Sequence, residues 1–387
     1  MDQSKQDQLD FCSMLNTAQN LPLIPEQAVK EYTRRHEQLI DQVNQIMSSR
    51  EDILRLIGGN DLRMMFDNHR NHAAFMGFVF KFGDYEALAR SLPWVYRSYS
   101  GQGFNLEYFQ HELRAWIKTI SEHITYNLEI ITIYEWLLNQ HDLLSRISKQ
   151  ESIDPHLEVA GKWETIQKGF LGNLLRGDAR GSLEISRKAV NDLTQFQEFM
   201  LQVIKPSMYQ IGFLWETGKI SVAQEHLATS IASTVLSSLY STQEMPESWK
   251  GRILVAAAPN EYHELGAWIL SIMFEINGWE SFYLGANMPV SDLVQYALDK
   301  KPDILALSVA ILFNLEHAQT IIKKIRDRDE AQNIKILLGG QACSQMLRTC
   351  QEMNPDYYPS SAEESLQIAE AIWNKKYNES ESVNKTS

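Results

Sequence analysis

The sequence predicts a multidomain protein that is all-helical up to about residue 242 and an open parallel α/β sheet from about 250 onward. Two observations carry this. Apolar residues recur at three- and four-residue steps through the first region, the spacing of helices with one buried face. From residue 251 the period changes to short continuous apolar runs, each followed by a helical stretch, the pattern of strands buried on both faces.

The helical region divides in two. Over about 20–150, "PEQAVKEYTRRHEQLIDQVNQIMSSREDILRLIGG" ends at the stop Gly58-Gly59, and "NDLRMMFDNHRNHAAFMGFVFKFGD" forms a second helix dense in Phe and Met. Breaks are expected at Pro93, Gly101 and Gly103 before helical spacing resumes at "LRAWIKTISEHITYNLEIITIYEWLLNQHDLLSRI". Polar "SKQESIDPH" sets a boundary, giving an all-helical domain over 1–152. Shorter helices then turn at Gly177-Asp178 and continue through "STVLSSLYS", most economically a four-helix bundle over 156–242. After the linker "TQEMPESWKG", five strand–helix units begin at "RILVAAA", "WESFYLGA", "DILALSVA", "IKILLGG" and "DYYPSS". They predict a five-stranded parallel sheet over 250–376 with helices on both faces, of flavodoxin-like order 2-1-3-4-5. The polar tail 377–387 reads as disordered.

Composition narrows the function. Apolar residues make up 44% of the chain and charged ones 22%, as in a globular protein with sizeable cores. A net charge of -13, with no local run of Lys or Arg, argues against binding nucleic acid or an anionic membrane surface. No apolar stretch is long enough to span a bilayer, and no signal peptide is evident. Three cysteines without metal-type spacing fit a reducing cytoplasm.

The first site signal is "AAAPNEYHELGAWIL", residues 256–270. His263 follows the first strand, two residues after Glu261 and three before Gly266. Forty-one residues separate Gly266 from Ser308 at the end of the third strand, and twenty-eight lie between Ala310 and Gly339-Gly340 at the end of the fourth. In an open parallel sheet, ligands bind beyond the carboxyl ends of the strands where strand order reverses, so these segments converge on one edge. Neutral imidazole is a good transition-metal ligand, and a carboxylate two residues away fixes its tautomer and raises its basicity.

These spacings resemble the cobalamin-binding domains of methyltransferases, mutases and photoreceptors, with Glu261 where the family has Asp and Ala310 where it has Leu. The resemblance implies that His263 ligates cobalt after displacing the nucleotide base. Glu261 would hold the imidazole, in a looser geometry than Asp allows. Ser308 would bind near the displaced base, and Gly266, Gly339 and Gly340 would clear a slot for the nucleotide tail. A second segment, "GFLWETGKISVAQEHLAT", opens a helix near Val222 through the capping box Ser221–Gln224. It resembles the Trp…Glu-His signature of the helical bundle that caps cobalamin in MerR-type light-sensing repressors and related antirepressors. There the Trp packs on the upper axial group, commonly 5'-deoxyadenosine, which implies that role for Trp215, with Glu225 and His226 lining the same pocket. Where those photoreceptors carry a His after the Trp, this chain has Glu216.

Adenosylcobalamin, or methylcobalamin, is therefore the expected cofactor. The expected function is a cytoplasmic, light-responsive cobalamin sensor acting in signal transduction or transcription regulation. Its N-terminal domain would supply a protein partner's docking site or self-association. Two alternatives stay open: a corrinoid methyl carrier serving a methyltransferase, and a haem-binding relative of the same fold. The chain is expected to be a binding protein rather than an enzyme. In the N-terminal region, His69 and His72 lie three apart on one helix, which is read as a helical core with polar His at its edge rather than a haem or metal pocket.

Overall fold

The computed structural model describes residues 3–149, 159, 161–246 and 250–384. The chain divides into two compact units, Met1–Pro155 with Gln210–Glu225, and His156–Tyr209 with His226–Ser387. In this division the segment around Trp215 groups with the N-terminal residues. Most of the expected boundary at 148–156 and the middle of the linker at 242–251 lie outside the described residues.

The first unit is helical: α1 (Gln3–Ala18), α2 (Glu26–Ser48), α3 (Ile53–Leu56), α4 (Leu62–Phe82), α5 (Tyr85–Gly101), α6 (Glu107–His123), α7 (Leu128–Asn139) and α8 (His141–Ile147). Asp61 caps α4 by accepting from Arg63 N, and Gly83 ends it in the left-handed conformation at φ 63. Helices α2, α4, α6 and α7 enclose an aromatic core in which Tyr32, Tyr108, Trp116 and Tyr134 are fully buried. Pro93 does not break the chain, as expected above, but lies inside α5. The helix continues through it because Leu92 and Tyr96 bury its inner face. His69 is not at an edge either. It is 0% exposed, with Nδ1 2.6 Å from Asn44 Oδ1 and Nε2 2.7 Å from Tyr108 OH, because α2 and α6 cover its side of α4.

The remaining helices before the sheet are α9 (Lys162–Arg176), α10 (Ala179–Ala189), α11 (Leu193–Phe199), α12 (Lys205–Glu216) and α13 (Val222–Tyr240). Gly177, in the left-handed region, and the cap Asp178 make the turn between α9 and α10. A wide π turn, Met200–Ile204, joins α11 to α12 just before Pro206, whose ring cannot donate to the preceding turn.

Among the described residues the sheet has four parallel strands rather than the expected five: β1 (Arg252–Ala257), β2 (Glu280–Tyr283), β3 (Ile304–Ser308) and β4 (Lys335–Gly339), in the order β2-β1-β3-β4. The expected fifth strand is a single bridge, Leu337 to Tyr357. Pro359 has no amide to extend the ladder. Helices α14 (Leu265–Ile276), α15 (Val290–Lys300), α16 (Leu315–Arg326), the short α17 (Gln341–Gln345) and α18 (Leu347–Glu352), and α19 (Ala362–Asn384) connect and flank the strands. Alternation sends Ile253, Val255, Ile304, Ala306 and Leu337 to the face covered by α14 and α19, where they meet Phe274, Trp279 and Ala369. α19 runs on to Asn384 where a disordered tail was expected, since "NKKYNESESVN" contains no Gly or Pro to stop a helix. Among the described residues no helix is long and apolar enough to cross a membrane.

Candidate functional site

Strand order reverses between β1 and β3, and the loops leaving these two strands meet at that edge. Ala258 N donates to Ser308 O at 3.0 Å, which ties the loops at their base. Ser308 stands in register with Ala257 on one side and Gly339 on the other. Asn260, at φ 60, turns the chain so that Glu261 points back into the sheet edge while His263 stays outside.

Glu261 is the centre of this corner. It is 0% exposed, yet its carboxylate meets five donors. Oε1 accepts from His263 N at 3.1 Å and contacts His263 Nδ1 at 2.6 Å. Oε2 accepts from Ala310 N and Ile311 N, each at 2.9 Å, and from Asn314 Nδ2 at 3.2 Å. Burial alone would raise the carboxyl pKa. The His263 hydrogen bond and the Ile311 amide outweigh it and pull the value down to about 2, so the group stays charged. The looser geometry expected of Glu is not found. Its extra methylene lets one oxygen hold the imidazole while the other reaches the loop after β3.

The His263 side chain is 62% exposed, and Nδ1 donates to the carboxylate, which fixes the tautomer with the proton on Nδ1. The three glycines have different reasons to be there. A Cβ on Gly340, at φ +100, would lie 2.3 Å from Val309 O, so the backbone alone requires glycine. At Gly339 a Cβ would lie 3.3 Å from Pro359 O, a tight but tolerable contact. On Gly266, in the first turn of α14, a Cβ would meet nothing within 4 Å. No protein atom explains that glycine, and it leaves open space beside His263.

Trp215 is the penultimate residue of α12 and is half-buried. Ser221 and Gln224 form the expected capping box, with Ser221 N to Gln224 Oε1 at 2.9 Å and Gln224 N to Ser221 Oγ at 3.3 Å, so α13 starts at Val222. That places Glu225 and His226 in the first turns of α13. Trp215 and Glu225 fall in the first compact unit. His226, Glu261, His263, Gly266, Ser308, Gly339 and Gly340 fall in the second, all but His226 along the carboxyl edge of the sheet or in the turn opening α14.

Sequence reasoning missed Asn314. It is 1% exposed at the start of α16 and gives its side chain to Asn260 O and Glu261 rather than to capping the helix. The available signal was one amide inside the apolar stretch "VAILFNLE". His317 was missed too: its Nε2 accepts from Asn260 Nδ2 at 2.9 Å.

An exposed imidazole backed by a buried carboxylate is a fitting donor for cobalt, and the missing side chain at Gly266 leaves the first turn of α14 unobstructed. Comparison with known proteins points the same way. Residues 251–364 match a family model described as a B12 binding domain, and residues 166–240 match a second model of the same description. Dimethylamine corrinoid protein 3 of Methanosarcina acetivorans is 22% identical over 179 residues, 46% of this chain and 82% of that protein. The HTH-type transcriptional repressor CarH of Myxococcus xanthus is 26% identical over 152 residues, 39% of this chain and half of the repressor. The solved monomethylamine corrinoid protein of Methanosarcina barkeri aligns at a TM-score of 0.46 and 18% identity, over 53% of this chain and 97% of that one. The C-terminal third of the chain is thus a B12-binding domain, and cobalamin is its cofactor.

Proposed function

We propose that the protein is a cobalamin-dependent sensor, with His263 as the lower ligand of cobalt and light as its signal. The observation that carries the binding role is the His263–Glu261 pair, a half-exposed imidazole whose Nδ1 contacts a fully buried carboxylate at 2.6 Å. Glu261 keeps the imidazole oriented and basic, and Ser308 with Gly266, Gly339 and Gly340 receives the nucleotide tail. When bound there, adenosylcobalamin would supply a light-sensitive cobalt–carbon bond. Trp215, Glu225 and His226 meet the adenosyl side, in a reading supported by the B12-binding match over 166–240, which contains all three. Loss of the upper group removes contacts that exist in one state only, which is what a two-state switch requires. The helical domain, which lies outside both family matches, is the receiver of that change.

A methyl carrier is the second reading, favoured by the corrinoid proteins that align over most of their own length. It requires an upper face open to a partner's active site rather than one closed by Trp215.

Absorption spectra of the purified chain with adenosyl- and methylcobalamin, dark and lit, separate the two. A sensor gives a base-off/His-on spectrum that light alters irreversibly with release of the adenosyl group. A carrier holds methylcobalamin at least as well and shows no structural response to light. His263→Ala abolishes the axial shift in either case; an unchanged spectrum removes His263 from its role.

A further inference from the structure

The turn that carries Trp215 is fastened to the N-terminal helices by a fit that only particular residues allow. Arg97 on α5 donates from Nε to Glu216 Oε1 at 2.6 Å, and the two side chains are only 25% and 14% exposed. One helical turn on, two glycines face each other. A Cβ on Gly101 would lie 2.4 Å from Glu216 O, and one on Gly218, at φ +68, would lie 2.5 Å from Gly101 O. Backbone thus meets backbone here, with a charge-assisted hydrogen bond beside it. The end of α5 is itself braced: Asn60 Nδ2 donates to Gln102 O at 2.8 Å, and a Cβ on Gly58 would lie 1.9 Å from Gly103 O. The residue that follows Trp215 is therefore committed to Arg97.

We propose that Arg97 is a positioning residue for Trp215, and that the Arg97–Glu216 pair with the Gly101–Gly218 contact makes α5 the element that sets the tryptophan and registers its movement. This rests on the reading of Trp215 as the residue facing the upper group of cobalamin. A partly shielded ion pair orients both side chains, and a glycine-to-glycine contact tolerates little sliding, so a shift at Trp215 must either displace α5 or break the pair.

The test uses the full chain loaded with adenosyl- or methylcobalamin in the dark and reads the ratio of the two dissociation constants. Arg97→Ala is expected to change that ratio by about three- to tenfold, a fraction of the worth of one charge-assisted hydrogen bond because the pair acts on the ligand only through Trp215. The change should go in the direction of Trp215→Ala, with the His263-ligated spectrum unaltered. Glu216→Gln, which keeps the shape and loses the charge, should give a smaller change and carries the test if Arg97→Ala does not fold. The swap Arg97→Glu with Glu216→Arg should restore the ratio. A wild-type ratio in Arg97→Ala and Glu216→Gln, beside an altered ratio in Trp215→Ala, overturns this inference and leaves the cap reading standing. A wild-type ratio in Trp215→Ala overturns the cap reading and this inference together.

Discussion

Two glutamates, one in each unit, are both hidden from water, yet their pKa values move in opposite directions. Glu261 at the sheet edge is 0% exposed and Glu112 on α6 is 3% exposed. Glu261 is held near pKa 2 by five donors that outweigh the cost of burial. Glu112 accepts a long 3.4 Å hydrogen bond from Trp116 Nε1 and faces His69 at 3.9 Å, and burial raises it to about 7. His69 cannot answer with a positive charge, because burial lowers its own pKa to about 3. The number of donors aimed at a carboxylate, rather than its depth, decides whether it ionises. The sheet edge keeps a charge beside the exposed His263 imidazole. The helical core tolerates an acid by letting it hold its proton up to about pH 7.

The contrast breaks most directly through pH. Glu112 keeps its proton in the fold while the unfolded chain releases it near pH 4.5, so the helical unit loses stability as pH rises from there through about 7. The loss is on the order of 3 kcal/mol at most. Glu112→Gln should remove that slope and raise the melting temperature at pH 8 but not at pH 4, as thermal scans would read. Equal slopes in variant and wild type would mean Glu112 is not the proton-binding group. Glu261 carries the opposite sign: its contribution is complete above pH 4.5 and disappears as pH falls toward 2.

A smaller effect is expected from Glu261→Gln. The amide keeps the shape but turns a donor toward other donors and leaves the imidazole without its anion. Cobalamin affinity should drop by about ten- to a hundredfold, followed by absorbance titration. Unchanged affinity would show that orientation without charge is enough. The finest test is Asn314→Ala, which removes one of the five donors. We expect a loss of about 1 kcal/mol, or about fivefold in affinity, with the His-on spectrum retained. A loss as large as that of Glu261→Gln would make Asn314 an equal partner of the imidazole.

What was legible in the sequence is what depends on neighbours along the chain. The Glu261–His263 contact spans two residues, and the Ser221–Gln224 capping box three, so spacing alone announced both. The buried runs of β1, β3 and β4 were readable because a strand covered on both faces has no polar alternation to lose. Asn314 was not readable, because it lies more than fifty residues from Glu261 and only the adjacency of β1 and β3 brings them together. Nor was the fifth strand, which Pro359 cuts to one bridge.

By itself, then, the sequence determined the periodicities and the imidazole–carboxylate pair, set by covalent spacing and side-chain chemistry, while the cofactor class came from the resemblance that its motifs carry. Tertiary structure alone decided that Glu261 would titrate low and Glu112 high, that His69 would sit in a core, and that Glu216 would answer to Arg97. The physical reason is common to all four. Ionisation, burial and ion pairing depend on groups within a few ångströms, and here most of those groups come from segments far apart in the chain.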